Sequence, residues 1–419
     1  MRVLVSAYAC NPLGAPELHP GEDLTGWRLV HQIARFHEVH VLTHGYNRPG
    51  VEQAGGDSAG SPVRFHFLSL PRPVGWLYKV EFGQRIYYYL WQMSAWRAAR
   101  KLHRRLRFDI AHHVTFGNDW IASYIGAFLD VPFVMGPVGG GQRTPRALMS
   151  EYTAGGRLSE RGRNAAQWLG RRDPVRHLAL RRARAILVCN RETRDRVPRR
   201  QRGKVILFPV NGVSREDFGG DAESLPDGRP FKVFMAGRFH RLKGFALALR
   251  GFGRFAAGRP GAEFVIIGSG PEEETLNRLV EELGLAGRVR MTGWLRRGDL
   301  LKEMRSSDVM LFPSFRDGGG AVVVEAMASG KPVIALDSGG PGFHVRPEWG
   351  FRIEPRSPDY VAAEIAAALE TLHGDPSLVR AMGEAACRRA EDFYLWDRHG
   401  DRIRDIYQAA LAAGEEKGT

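Results

Sequence analysis

With 419 residues, 43% of them apolar and 25% charged, the chain is long enough for two hydrophobic cores and too apolar for a disordered protein. Its net charge of +14 favours anionic partners, yet no DNA- or RNA-binding signature accompanies it, so nucleic acid is not expected. Cys10, Cys189 and Cys387 lie far apart without a C-x-x-C pair, which argues against a disulfide framework or a zinc site. No apolar run has the length of a membrane span or of a signal-peptide core, so a cytoplasmic location is expected.

An apolar run predicts a strand over 2–8, followed by a Gly- and Pro-rich loop over 11–26 that carries the run HPGED at 19–23. Helical spacing of Leu29, Val30, Ile33 and Ala34 and a second strand over 38–43 complete a βαβ unit. Another strand is predicted over 63–70. The stretch 76–107 is dense in aromatic and basic residues, from Trp76 and Tyr78 to Arg104 and Arg105. It reads as a core helix with a solvated basic face or as a membrane-surface contact. Strands over 109–114 and 132–135 follow. The first ends in His112 and His113, with Asn118 and Asp119 beyond it, and the second runs into GPVGGGQRTP at 136–145. The basic helical region 157–184 again fits either an anionic lipid or a plain charged surface. A strand over 185–189 and the run KVILFPVNGV at 204–213 precede a polar linker over 214–230.

The second half opens with a strand over 231–236 and the loop GRFHRLKG. Arg238 and Lys243 there follow a strand's carboxyl end, where cations clamp a diphosphate. The turn GSGP at 268–271 lacks the third glycine of a dinucleotide fingerprint, and Glu272, Glu273 and Glu274 would repel a phosphate, so it reads as architecture. A strand over 288–294 and a helix over 299–306 lead to the central stretch. There a strand at 309–313, a Gly-rich loop at 314–320, a helix at 321–329 and a strand at 333–336 form one unit of a parallel sheet. Gly330 and Pro332 stop the helix. The glycines let backbone N–H groups approach a ligand, and a helix N-terminus favours an anion. Asp317 and Glu325 bracket the unit as acceptors for hydroxyls, so the expected ligand has a phosphate end and a sugar end. Helices over 358–372, 377–391 and 393–411 close the chain.

Residues 309–342 resemble the donor-site signature of retaining glycosyltransferases of family 4, E-x7-E followed by A-M-A-x-G-x-P-V, with Asp317 in place of the first Glu and Glu325 as the second. GRFHRLKG resembles that family's pyrophosphate-binding element, 204–213 its last N-domain strand with the N-G-V turn, and the loop after the first strand its glycine-bearing loop, with Gly21 at the contact. The resemblance implies an α/β fold of the GT-B type: two Rossmann-like domains facing across a cleft, at 1–213 and 231–392, joined by the 214–230 linker. A closing helix at 393–419 returns to the first domain.

The implied reaction moves a sugar from a nucleotide diphosphate sugar to a hydroxyl acceptor (a sugar, a lipid-linked sugar or a small molecule) with retention of configuration and neither metal nor resident cofactor. By the same resemblance Arg238, Lys243, Asp317 and Glu325 carry the chemistry. Gly21, Gly237, Trp294, Leu295, Gly318, Gly319, Gly320 and Ala321 bind the donor. The family's histidine after the 132–135 strand is absent here, since Gly136 and Pro137 stand in its region. The acceptor-side candidates are therefore His112 or His113, with Gly139, Gly140 and Arg143, against the alternative that the histidines are structural. Two other readings stay open: a GT-B epimerase or sugar-phosphate synthase, and a basic lipid- or nucleic-acid-binding protein with an inactive donor site.

Overall fold

The computed structural model describes the chain apart from residues 14–19, 57–59, 72–73, 75–76, 78–80, 116, 220–227, 260 and 416–419. His19, Trp76, Tyr78 and much of the expected linker thus lie outside the described residues. The chain forms two compact units: Met1–Gly141 with Ala165–Val210 and Trp396–Thr419, and Gln142–Asn164 with Asn211–Leu395.

The first unit is built on β1 (Arg2–Ala7), β2 (Glu38–His44), β3 (Val63–Leu68), β4 (Ile110–Thr115), β5 (Phe133–Val138), β6 (Ala183–Val188) and β7 (Val205–Leu207). They lie in the order β3-β2-β1-β4-β5-β6-β7, with every neighbouring pair parallel. Alternation along β1 explains why the sheet is covered on both faces, as parallel sheets are. Val3 and Val5 pack with Leu29, Val30 and Ile33 of the helix Pro20–Ala34 and with Ile403 and Tyr407 of the helix Trp396–Glu415. Leu4 packs on the opposite face with Tyr88 and Trp91 of the helix Glu81–Leu106.

The second unit repeats the plan with β8 (Lys232–Ala236), β9 (Glu263–Ile267), β10 (Val289–Met291), β11 (Val309–Phe312), β12 (Val333–Leu336) and β13 (Gly350–Ile353), in the order β10-β9-β8-β11-β12-β13 and again all parallel. In each sheet the strand order reverses beside the first strand, at β1/β4 and at β8/β11. Loops leaving adjacent strands diverge there, and the crevice between them is where open α/β sheets take ligands. These two sheets make the chain a GT-B-type α/β protein.

Three expectations need correction. The first helix runs over Pro20–Ala34 and not from near Trp27, so Gly21 sits in a helical turn. Proline is at home at a helix start, and Glu22 and Asp23 suit the positive end of the dipole. Residues Gln142–Asn164 belong to the second unit, not to the domain drawn over 1–213. Leu148 and Tyr152 are buried in the second unit's core, with the Tyr152 ring 6.0 Å from that of Phe315. Glu151 pairs with Arg250 at 2.9 Å and Glu160 with Arg316 at 2.9 Å.

His112 is fully buried in β4. Its Nε2 lies 2.6 Å from the carbonyl oxygen of Gly136, so it carries the proton, and Nδ1 accepts from the Tyr407 hydroxyl at 2.7 Å. With both nitrogens engaged inside the sheet it is a structural histidine and not an acceptor-side group. Burial drives its pKa down to about 3, partly opposed by the Gly136 carbonyl. Between the ordinary value of 6.5 and about 3 the unfolded chain binds a proton that the folded chain refuses, so this contribution to stability is complete above pH 6.5 and is lost as pH falls. The first unit should therefore unfold at lower denaturant at pH 5 than at pH 7. Tyr407→Phe, which strands a buried acceptor, should lower its stability at pH 7 by about 1–3 kcal/mol in urea titrations. A variant with an unchanged midpoint would show that this bond does not hold the closing helix.

Candidate functional site

In the second unit the register Val233↔Val309 and Phe234↔Met310 sets β8 beside β11. The loops after these two strands therefore emerge together. They are tied to each other: Phe315 N donates to Leu242 O at 2.8 Å and Ser314 Oγ to the same oxygen at 3.1 Å. This register brings Lys243, in the turn Arg241–Lys243 after β8, to Asp317, in the loop after β11, with Nζ 2.5 Å from Oδ2. The other oxygen, Oδ1, accepts from Gly319 N at 3.1 Å and Gly320 N at 2.7 Å. Burial pushes the Asp317 carboxyl up, but the Lys243 ammonium with its hydrogen bond, and the two backbone N–H groups, outweigh burial and hold it below the usual carboxylate range. Asp317 is thus ionised at neutral pH and seated before the helix Ala321–Ala328, whose dipole favours a negative charge there. Gly320, with φ of 61°, takes the left-handed position that starts this helix, a conformation costly for any residue with a Cβ.

Glu325 lies one turn into the same helix, 18% exposed. Its Oε1 accepts from Arg297 Nη1 at 2.9 Å, and Nη2 of the same guanidinium reaches Asp217 Oδ1 at 2.5 Å. Burial raises the Glu325 carboxyl above its ordinary value. Arg297 opposes this, and the nearby Asp217 adds to the rise. Arg238 follows β8 and Gly237 with its side chain exposed and no ion pair among the described residues. Trp294 is 63% exposed on the turn after β10, a turn fixed by Gly268 N donating to Gly293 O at 2.9 Å; Leu295 beside it is half-buried. Arg238, Lys243, Asp317, Glu325, Gly237, Trp294, Leu295 and Gly318 to Ala321 all lie on loops or helix starts at the carboxyl ends of this one sheet.

The remaining candidates divide between the units. Gly139 and Gly140 follow β5 in the first unit, where Gly139 N donates to Gly117 O at 2.6 Å and Asp119 N to Gly139 O at 2.7 Å. Arg171 holds the Asp119 carboxylate with Nε at 2.8 Å and Nη2 at 3.2 Å, and Gln167 Nε2 donates to Gly140 O at 3.1 Å. Glu22 Oε1 accepts from Gly117 N at 3.0 Å, so the helix that carries the exposed Gly21 is tied to the loop after β4. His113 is 3% exposed, with Nε2 3.4 Å from the Tyr88 hydroxyl. Arg143 is exposed and belongs to the second unit.

Three residues at the second-unit site have no counterpart in the sequence reading. They are Arg297, which neutralises Glu325; Arg316, which pairs with Glu160; and His344, whose Nε2 is 2.6 Å from Gly319 O. Arg297 and Arg316 are two among many arginines, and no spacing distinguishes them. His344 lies on a short helix, Gly339–His344, which its glycines and proline conceal.

The family described as glycosyl transferases group 1 matches residues 221–389, and the glycosyl transferase 4-like domain matches residues 27–211. The chain is 30% identical over 334 residues to the 2-deoxystreptamine N-acetyl-D-glucosaminyltransferase of Streptomyces fradiae, covering 75% of this chain and 73% of that one. It is 32% identical over 187 residues to the D-inositol 3-phosphate glycosyltransferase of Segniliparus rotundus, covering 43% of this chain but only 40% of that relative. Among solved structures, the sucrose-phosphate synthase of Thermosynechococcus elongatus superposes with a TM-score of 0.66 over 99% of this chain and 100% of its own, at 20% identity. Anabaena HepE, solved in complex with UDP, gives 0.64 over 98% and 100%, at 18% identity. The parallel sheets, the loop chemistry at the β8/β11 switch point and the Streptomyces relative agree, and the chain belongs to the group 1 glycosyltransferases, family 4.

Proposed function

We propose that this protein transfers a glycosyl group from a nucleoside diphosphate sugar to a hydroxyl acceptor, with retention of anomeric configuration. The observation that carries the reading is the Lys243–Asp317 pair at the switch point, set against a helix N-terminus with Arg238 at the end of the adjacent strand. As the bond between the anomeric carbon and the diphosphate breaks, negative charge grows on the departing oxygen. Arg238 and Lys243 are placed to meet that charge, and the backbone N–H groups of the 318–321 loop add to it. No resident metal or cofactor enters this reading. Glu325 accepts from ribose hydroxyls, with Arg297 opposing the rise that burial gives its carboxyl. Asp317 orders the loop and uses its remaining lone pairs for the donor sugar. Trp294 and Leu295 flank the nucleobase. HepE, with the same fold, was solved with UDP and with UDP-glucose, which makes a uridine nucleotide the first donor to try.

A peripheral contact with the inner face of a membrane is proposed on a separate observation. In the helix Glu81–Leu106 the buried residues Tyr87, Tyr88, Trp91, Ala95 and Ala99 face the core. The opposite stripe is exposed, with Ile86 and Leu90 toward the N-terminus and Arg97, Arg100, Lys101 and Arg104 after them. These positions recur at helical spacing, so apolar and cationic side chains share one outward face suited to an anionic bilayer. No helix among the described residues is long and apolar enough to cross a membrane.

UDP should raise the unfolding temperature of the protein, because it binds only the native state. Arg238→Ala and Lys243→Ala should each lower kcat by about a hundredfold or more while the protein stays folded. Clamp variants with wild-type kcat would remove these residues from the mechanism. In sedimentation assays the protein should pellet with phosphatidylglycerol-containing vesicles at low salt and leave them as salt rises. Replacing Arg100 and Arg104 together by Gln should weaken that binding by about thirtyfold, at about 1 kcal/mol for each cation near the surface. Equal binding to neutral vesicles would refute the membrane reading.

A further inference from the structure

The loop that holds Asp317 contains three successive glycines, Gly318 to Gly320. Such a segment loses the most backbone entropy on ordering and has no side chains to pack, so its conformation has to be imposed from outside. The helix Gly339–His344 lies against it backbone to backbone. Gly340 N donates to Asp317 O at 2.9 Å. A Cβ at Gly339 would stand 2.2 Å from Asp317 O, and one at Gly340 2.7 Å from the carbonyl carbon of Gly319, so neither position has room for a side chain.

His344, at the end of this helix, is 2% exposed. Its Nε2 is 2.6 Å from Gly319 O. A carbonyl oxygen only accepts, so Nε2 carries the proton, and Nδ1 must then accept from the Tyr394 hydroxyl 2.7 Å away. Tyr394 is itself anchored: its carbonyl accepts from Val213 N at 2.9 Å, and its ring packs edge-on to the imidazole at 5.1 Å. Gly319 is consequently held at both polar groups, its N–H by Asp317 Oδ1 and its C=O by His344.

We propose that His344, oriented by Tyr394, is a positioning residue that fixes the Gly318–Gly320 backbone of the donor site. This rests on the reading of that loop as the donor site. The tautomer is essential, because a proton on Nδ1 alone would set two acceptors against each other at Gly319. Burial keeps the imidazole neutral, with its pKa at about 4, against the opposing pull of the Gly319 carbonyl and the Asp317 carboxylate; Arg389 lowers it further. The arrangement therefore persists throughout the neutral range.

The test uses amide hydrogen exchange of the peptide spanning 316–322, together with calorimetric titration of UDP. His344→Leu removes the donor, Tyr394→Phe removes only its orienting hydroxyl, and His344→Gln restores an N–H donor on a side chain of similar reach. The first two variants should speed exchange in 316–322 by about five- to tenfold, as expected for losing roughly one hydrogen bond, while β8 to β13 stay protected. They should weaken UDP by a similar factor, and His344→Gln should recover most of both effects. If His344→Leu does not fold, Tyr394→Phe decides alone. Wild-type exchange rates in Tyr394→Phe, or slow exchange in His344→Leu, would overturn the proposal. Faster exchange with UDP affinity unchanged would leave His344 as a loop-positioning residue and refute the donor-site reading instead.

Discussion

The contact between Lys243 and Asp317 joins the loops that leave the two central strands of the second sheet, and the arrangement of the site follows from it. Lys243 and Asp317 are only 23% and 15% exposed, so each has lost much of its hydration. A pair in such surroundings gains little net stability over apolar replacements, but removing one partner strands the other charge. Its effect is on geometry. It sets the cation at the mouth of the loop and turns Oδ1 toward Gly319 N and Gly320 N, which starts the next helix in a defined direction.

A shorter acid at position 317 fits this geometry. Asp317 satisfies two backbone N–H groups within three residues of itself, a local pattern at which aspartate excels. The three glycines that follow allow the chain to turn that tightly, and the helix Gly339–His344 supplies the order that they cannot. Glu325 is arranged on the other principle. It is held by a long-range guanidinium that also serves Asp217, so its charge depends on residues 108 and 28 positions away from it in the chain.

The first unit shows how a motif-like residue can be architectural. His112 stands beside a second histidine where the sequence predicts the end of a strand, the place where a catalytic group would be sought, but β4 runs on to Thr115. Its imidazole is instead spent on the Gly136 carbonyl and the closing helix's Tyr407. Asp119 likewise serves Arg171, which also bonds the Gly140 carbonyl, so the glycine turn after β5 is a fastened structure.

Most of the secondary structure was legible in the sequence because it is local. Continuous apolar runs that serve both faces of β1, β8 and β11, and the Gly330–Lys331–Pro332 stop after the central helix, are signals within a few residues of the elements they define. The candidate donor-site residues were legible through their resemblance to the family's motifs, in which Lys243, Asp317, the glycines and Glu325 each sit at a fixed offset from a strand end. Tertiary structure alone decided what those residues touch. The placing of Gln142–Asn164 in the second unit depends on Tyr152 meeting Phe315 and Glu160 meeting Arg316, more than 150 residues apart in each case. The neutral, Nε2-protonated state of His344 depends on Gly319 and Tyr394, and the role of Arg297 on where Asp217 and Glu325 converge. The sequence determined the elements and the offsets of the charged groups, since these follow from local periodicity. Charge state, tautomer and hydrogen-bond partner are set by what lies within about 3 Å in space, and in a parallel sheet those neighbours come from distant parts of the chain.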